Sequence, residues 1–352
     1  MRPRSRFSTR KHAARGVRVP RGVRTQVSII VAAIACVVAL GAPAGAGHAS
    51  TSGTGETAIF YYPWFSNPTR DGSWAHWYVE RAGSGPVLST RYYPARGLYS
   101  SSNAKIVSAQ MQDIVVAGIR TVVVSWWGAG SPEDARLPVV REAAAHWGLE
   151  VAIHVEPYPG RNPTSTAADI SRLQESGITD FYVYDPERDP ASAWAAALGS
   201  LDGARVFGQT TLVGWAKAAG FGGLYTYDVG TWVGSTFART CTQAHRAGLL
   251  CAPSVGPGFD ARLATSDQLV RPRLNGETYD HMWKSAIHAR ADLVTITSYN
   301  EWQEGTQIEP ARSQAGQRGY DGAWGARGRA AEHAYLYDTA RWTARFHPLA
   351  TQ

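Results

Sequence analysis

Two glutamates three residues apart, Glu301 and Glu304, lie in the run Thr297-Ser298-Tyr299-Asn300-Glu301-Trp302-Gln303-Glu304-Gly305-Thr306-Gln307-Ile308-Glu309-Pro310. Two carboxyls held close together can keep different protonation states, because the charge on one favours the proton on the other. Acid/base cleavage of a glycosidic bond uses such a pair. The spacing sets a condition, since on a continuing strand an odd separation aims the two side chains at opposite faces. They share a pocket only if the chain turns at Trp302 or Gln303, and Gly305 is placed to permit that turn. A Glu-x-x-Glu pair is common, and on the residues alone these two could also be loop carboxylates or partners of Arg312.

A second group, His154, Glu156 and Tyr158, alternates along residues 150–158 and is expected to share one strand face, opposite Ile153 and Val155. Two potential ligands from one strand lack the third and fourth that a zinc centre needs. Glu156 is therefore expected to bind sugar hydroxyls and not a metal, since a buried carboxylate without a partner is costly. The chain has no Gly-x-Ser-x-Gly elbow, no phosphate-binding loop and no His-Glu-x-x-His helix.

The elements that must position these residues alternate regularly from residue 56 onward. Short β-branched and aromatic runs predict strands at 58–64, 121–127, 150–158, 180–185, 205–211, 223–228, 249–255 and 293–299. Helical patterns fall at 103–117, 133–146, 167–176, 234–247, 277–290 and 328–346, and the pattern after residue 211 is weak. Eight βα units predict a single-domain α/β fold, a (β/α)8 TIM barrel. No Gly-x-Gly-x-x-Gly turn follows the first strand, which argues against a dinucleotide-binding sheet. In a barrel the chemistry lies at the C-terminal ends of the strands, and the unusual residues cluster there: Tyr61-Tyr62-Pro63-Trp64, Ser125-Trp126-Trp127, Tyr182-Val183-Tyr184-Asp185, Tyr225 and Tyr227. Polar groups among aromatic walls suit a carbohydrate, and thirteen Trp and sixteen Tyr supply such walls as well as core.

Residues 1–49 are expected to be a signal peptide: a basic stretch from Arg2 to Arg24, an apolar run from Val27 to Leu40, then small residues with cleavage near Ala46 or Ala49. The apolar run is short of the roughly 20 residues that span a bilayer, so no membrane span is expected after cleavage. Cys36 lacks a convincing lipobox, and no consecutive arginine pair marks a twin-arginine route. The catalytic domain is then 50–352, secreted. The formal charge of +7 belongs to the leader, since removing its nine basic residues leaves 26 basic against 28 acidic. That balance does not support a nucleic-acid partner. Cys241 and Cys251 remain, and whether they pair is left open, since one falls in an expected helix and the other at the start of an expected strand.

Asn300-Glu301-Trp302-x-Glu304-Gly305-Thr306-Gln307-Ile308-Glu309, with Phe60-Tyr61-Tyr62-Pro63-Trp64, Asp71-Gly72, His76-Trp77, His154-Val155-Glu156-Pro157-Tyr158 and Pro253-Ser254-Val255-Gly256-Pro257-Gly258, resembles glycoside hydrolase family 99 across nearly all of residues 57–345. That family comprises endo-α-mannosidases and bacterial endo-α-1,2-mannanases. The resemblance implies a retaining, endo-acting enzyme on a (β/α)8 barrel, with no metal or other cofactor, acting on α-mannan or a mannose-containing oligosaccharide. It implies that the substrate's own 2-hydroxyl is the nucleophile, through a 1,2-anhydro sugar. Glu301 would be the base on that hydroxyl, and Glu304 the acid on the leaving oxygen. Around the sugar it places Tyr62, Trp126, His154, Glu156, Tyr158, Tyr227 and Asn300. The bacterial members carry a Trp where animal members differ, but strand pleat lets only one of Trp126 and Trp127 face the pocket. Many members have His where this chain has Gln303, which cannot titrate near neutral pH.

Overall fold

The computed structural model describes residues 56–83 and 85–346. The expected leader, its cleavage site and the residues after 346 lie outside the described residues. Eight strands, each followed by a helix, build the fold: β1 (Glu56–Tyr61), α1 (Ala104–Val116), β2 (Thr121–Trp126), α2 (Pro132–His146), β3 (Glu150–Val155), α3 (Pro163–Gln174), β4 (Asp180–Val183) and α4 (Ala191–Leu198). The second half runs β5 (Arg205–Gln209), α5 (Val213–Ala218), β6 (Gly223–Tyr225), α6 (Phe237–Arg246), β7 in two pieces (Leu250–Ala252 and Ser254–Val255), α7 (Glu277–His288), β8 (Leu293–Ile296) and α8 (Ala334–Thr343).

Every pairing between barrel strands is parallel, and neighbours in sequence are neighbours in the sheet. The ring closes through β7, which Pro253 interrupts. Its first piece pairs with β6 (Tyr225 opposite Ala252), its second with β8 (Ser254 opposite Thr295), and β8 returns to β1 with Glu56 opposite Leu293. The strands are buried on both faces, all six residues of β2 being an example, as expected where helices cover a parallel sheet.

Pleating sorts the aromatic residues. Phe60 points inward, where its ring lies 4.6 Å from His154 and 5.6 Å from Tyr225. Tyr182 stacks on Phe207 at 4.8 Å within the same interior. Tyr61 takes the opposite parity and donates to Gln110 of α1 at 2.6 Å. At the N-terminal ends of the strands, Arg205 of β5 bonds both Glu56 of β1 and Asp180 of β4. Helix starts are capped by side chains: Ser131 accepts from Asp134 N–H before α2, and Asn162 forms a capping box with Ser165 before α3.

Cys241 of α6 and Cys251 of β7 are disulfide-bonded, with Cα atoms 5.2 Å apart, which resolves the pairing left open by the sequence. The turn from α6 into β7 is short enough to return one cysteine beside the other, and both are buried.

Candidate active site

Beyond β8 the chain leaves the sheet. Ser298 N–H donates to Thr306 O at 3.0 Å, closing residues 298–306 into a loop. Within it Trp302–Glu304 form a single 3-10 turn, with Glu301 at its N-terminal cap and Gly305 left-handed at φ 66°. Residues three apart eclipse one another in such a turn, so Glu301 and Glu304 come to one side. Arg312 is not their partner. Its guanidinium lies over the Tyr93 ring at 5.3 Å.

Glu301 is buried and accepts a 2.7 Å hydrogen bond from the Tyr227 hydroxyl, which also bonds the Tyr62 hydroxyl. Tyr227 reaches that position with a left-handed backbone, φ 52°, an unfavourable conformation for a tyrosine. Its N–H is held by Ser254 Oγ at 2.7 Å, and its carbonyl accepts from Thr297 Oγ1 at 3.0 Å. Burial first, and then the charge of Glu301, keeps the Tyr62 and Tyr227 phenols far above their usual range, so both remain hydrogen-bond donors.

Burial first, and then the charge of Glu304, pushes Glu301 well above the usual carboxylate range. Burial, followed by the charges of Asp228 and Glu156, lifts Glu304 to about 7, although a hydrogen bond shared with Glu301 opposes the rise. Both carboxyls are therefore held toward their protonated forms. The surroundings of the two differ. Carboxylates raise both, Glu304 and Glu156 acting on Glu301, and Asp228 and Glu156 on Glu304, whereas the Tyr227 and Tyr62 phenols partly offset the rise at Glu301.

The remaining predicted residues divide into three groups. His154 and Glu156 point inward as expected, with His154 Nδ1 3.0 Å from Glu156 Oε1, His154 Nε2 2.8 Å from Tyr225 OH, and Ser125 Oγ donating to Glu156 at 2.8 Å. Asn300 is fully buried and acts as a clamp: its Oδ1 accepts from Tyr62 N–H at 2.8 Å, and its Nδ2 donates to Tyr62 O at 3.0 Å and Tyr99 OH at 3.2 Å. With both amide hydrogens engaged, it positions Tyr62.

Trp126 and Tyr158 point the other way, toward the helices. Trp126 Nε1 donates to Asp134 of α2 at 2.7 Å, its ring packs edge-on to Tyr158 at 5.8 Å, and Arg172 of α3 lies over it at 5.4 Å. The Tyr158 hydroxyl donates to Asp169 of α3. Tyr158 does not share a face with His154 and Glu156, because β3 ends at Val155 and the chain turns at Pro157, with Tyr158 N–H donating to Glu156 O at 2.9 Å. Trp127, the half-buried residue after β2 ends, continues the parity of Ser125, which touches Glu156.

Other residues join the site that were not among the expected catalytic or sugar-binding residues. Tyr184 lies edge-on to His154 and Tyr227, at 5.6 and 5.2 Å, and Asp228 bears on Glu304. Beneath the catalytic turn, Glu309 accepts from Tyr99 (2.7 Å), Gln110 (2.8 Å) and Trp302 Nε1 (2.9 Å). Tyr184 has the alternation of Tyr182, a signal present in the sequence. Asp228 had only its place at a strand end.

A closed parallel barrel whose C-terminal rim carries two neighbouring carboxyls of raised proton affinity, set among phenols, defines the class: a barrel glycoside hydrolase. Residues 54–348 match the model of glycosyl hydrolase family 99, and the chain belongs to that family. Among its relatives is a glycoprotein endo-alpha-1,2-mannosidase-like protein of Danio rerio, 30% identical over 311 residues that cover 72% of this chain and 70% of the relative. A glycoprotein endo-alpha-1,2-mannosidase of Xenopus laevis is also 30% identical over 311 residues, covering 72% and 69%. The solved GH99 endo-alpha-mannosidase from Bacteroides thetaiotaomicron is 28% identical with a TM-score of 0.75, covering 82% of this chain and 97% of that one.

Proposed function

We propose that this glycoside hydrolase is a secreted, retaining enzyme that cuts internal α-mannosidic bonds, of endo-α-1,2-mannanase or endo-α-mannosidase type, with α-mannan or a mannose-containing oligosaccharide as substrate. The observation that carries the reading is two carboxyls brought to one side of a single turn on the barrel rim, both of raised proton affinity, with the Tyr227 phenol donating to Glu301. The Glu301 carboxylate takes the proton of the sugar's 2-hydroxyl while that oxygen attacks the anomeric carbon. The bond to the leaving oxygen breaks as Glu304 protonates it, leaving a 1,2-anhydro sugar. Glu304, now ionised, takes a proton from water, which attacks the anomeric carbon. The anhydro bond opens and Glu301 returns its proton to the 2-oxygen, so configuration is retained. Mannose suits this path because its axial 2-hydroxyl faces the anomeric carbon opposite an α-linked leaving group. The buried Cys241–Cys251 disulfide agrees with export to an oxidising compartment.

The test is to incubate the leaderless protein with α-1,6-mannan bearing α-1,2-linked side chains, and in parallel with an α-glucan, and to resolve the products by mass. Short mannose oligosaccharides, absent with Glu301→Gln and with Glu304→Gln, are expected. No mannan cleavage by folded protein at several pH values would overturn the reading, and glucan products would move the substrate to another α-glycan.

A further inference from the structure

A cavity of about 640 Å³ adjoins the catalytic turn, shares Gly305 with it, and is walled by five arginines against two aspartates. The aspartates are already engaged. Asp260 binds Arg91 at 2.9 Å and Arg262 at 2.8 Å, and Asp321 accepts from Ser313 and from Gly328 N–H. Arg271 and Arg318 have no acidic partner among the described residues. Arg271 reaches only the Gly230 carbonyl, at 3.0 Å, and Arg318 is exposed. The fifth, Arg273, connects the cavity to the chemistry: its Nη2 donates to the carbonyls of Gly305 (2.9 Å) and Gln307 (2.6 Å), while Tyr92, Tyr320 and Tyr335 surround its guanidinium at 4.6–5.0 Å.

Such a wall does not match a neutral sugar, for which paired carboxylates and amides would serve. Guanidinium groups with free donors in a confined space suit an oxyanion, which they can bind in a bidentate manner. The volume is that of a small-molecule site. Resting on the glycan-hydrolysing function proposed above, we infer that this cavity is an accessory subsite for an anionic substituent on the glycan, a phosphate ester or a uronate carboxylate, with Arg271 and Arg318 as its ligands. A branched polymer held at Glu301 and Glu304 would place a neighbouring, charged sugar there.

The test compares mannose oligosaccharides of one length that are neutral, phosphorylated or uronate-bearing. Binding is measured by calorimetry on the leaderless protein in a Glu304→Gln background, so that nothing is cut, and inorganic phosphate is titrated as a separate probe. At least one anionic ligand is expected to bind about tenfold more tightly than the neutral one, the scale of a hydrogen bond to a charged group. The arm that gains identifies which oxyanion is recognised. Arg318→Glu and Arg271→Gln should each remove the gain and any phosphate binding. Cleavage of neutral mannan by Arg318→Glu in the otherwise natural protein should stay unchanged. Equal affinity for all three ligands, or a preference that survives both substitutions, overturns the inference. Failure to cleave neutral mannan overturns the proposed function instead, and the phosphate titration still decides the cavity.

Discussion

Replacing Glu304 with Gln should stabilise the protein in alkaline solution while abolishing activity. The carboxyl titrates near 4.5 when exposed in the unfolded chain and at about 7 in the fold. A raised folded value means that the native state binds the proton more tightly than the unfolded state. Native stability therefore falls as pH rises from about 4.5 through about 7 and stays lower above it. The full shift corresponds to about 3 kcal/mol, and partial exposure of Glu304 reduces this to about 1–3 kcal/mol after solvent screening. Gln has the shape of the protonated acid and no charge to lose. Wild type and variant should melt together near pH 5, and at pH 8 the variant should melt roughly 2–6 °C higher. Removing one charge also relieves Glu301, which adds to the difference in the same direction. Differential scanning calorimetry at half-unit steps of pH measures both curves. Parallel curves across the range, or a variant less stable at pH 8, would refute the account of a carboxyl held against burial and neighbouring charge.

Tyr227→Phe removes the donor to Glu301 and keeps the ring, so kcat/KM should fall about tenfold, with the acid limb of its pH profile moved upward; an unchanged profile speaks against the phenol as a group that lowers the proton affinity of Glu301. Trp126→Ala should cost about 3–5 kcal/mol of stability by emptying a buried site between β2 and the helices, whereas Trp127→Ala should raise KM with a smaller change in melting temperature; the opposite split would reverse their assignment. Cys241→Ala with Cys251→Ala should lose about 3 kcal/mol in chemical denaturation by freeing a ten-residue separation, and a variant with the midpoint of wild type would show the bond to be dispensable.

All eight strands were legible because a parallel barrel buries both faces of each strand and so requires runs of β-branched and aromatic residues. Their ends were not, for local reasons. The first and third expected strands, 58–64 and 150–158, contain Pro63 and Pro157, which have no N–H for the ladder, and the observed strands stop at Tyr61 and Val155. The last expected strand, 293–299, stops at Ile296, where Thr306 captures the Ser298 N–H. Helix α4 was not legible and α5 showed only as a weak pattern, because five of the eight residues of the first are alanine and the second has only six residues. The direction of Trp126 was illegible for a related reason: with both faces of β2 buried, neither Trp126 nor Trp127 is marked as inward, and the marker is the contact from Ser125 to Glu156 across strands.

The same physics explains the layer beneath the pair. Two carboxyls kept together out of water repel and lose hydration, so a turn carrying them would open unless held from below. Glu309 supplies that hold. It is lifted only to about 6 despite complete burial, because Arg96, Gln110, Tyr99 and Trp302 oppose the desolvation. Three of those contacts are hydrogen bonds to its carboxylate, and one comes from Trp302 inside the catalytic turn. Asn300 then ties the same segment to the end of β1 through Tyr62, whose hydroxyl reaches Tyr227 beside Glu301. One buried carboxylate with several donors thus anchors two that have few. This accounts for Glu309 lying so close in sequence to Glu304: a single loop must place the strained pair on the rim and its own anchor in the wall.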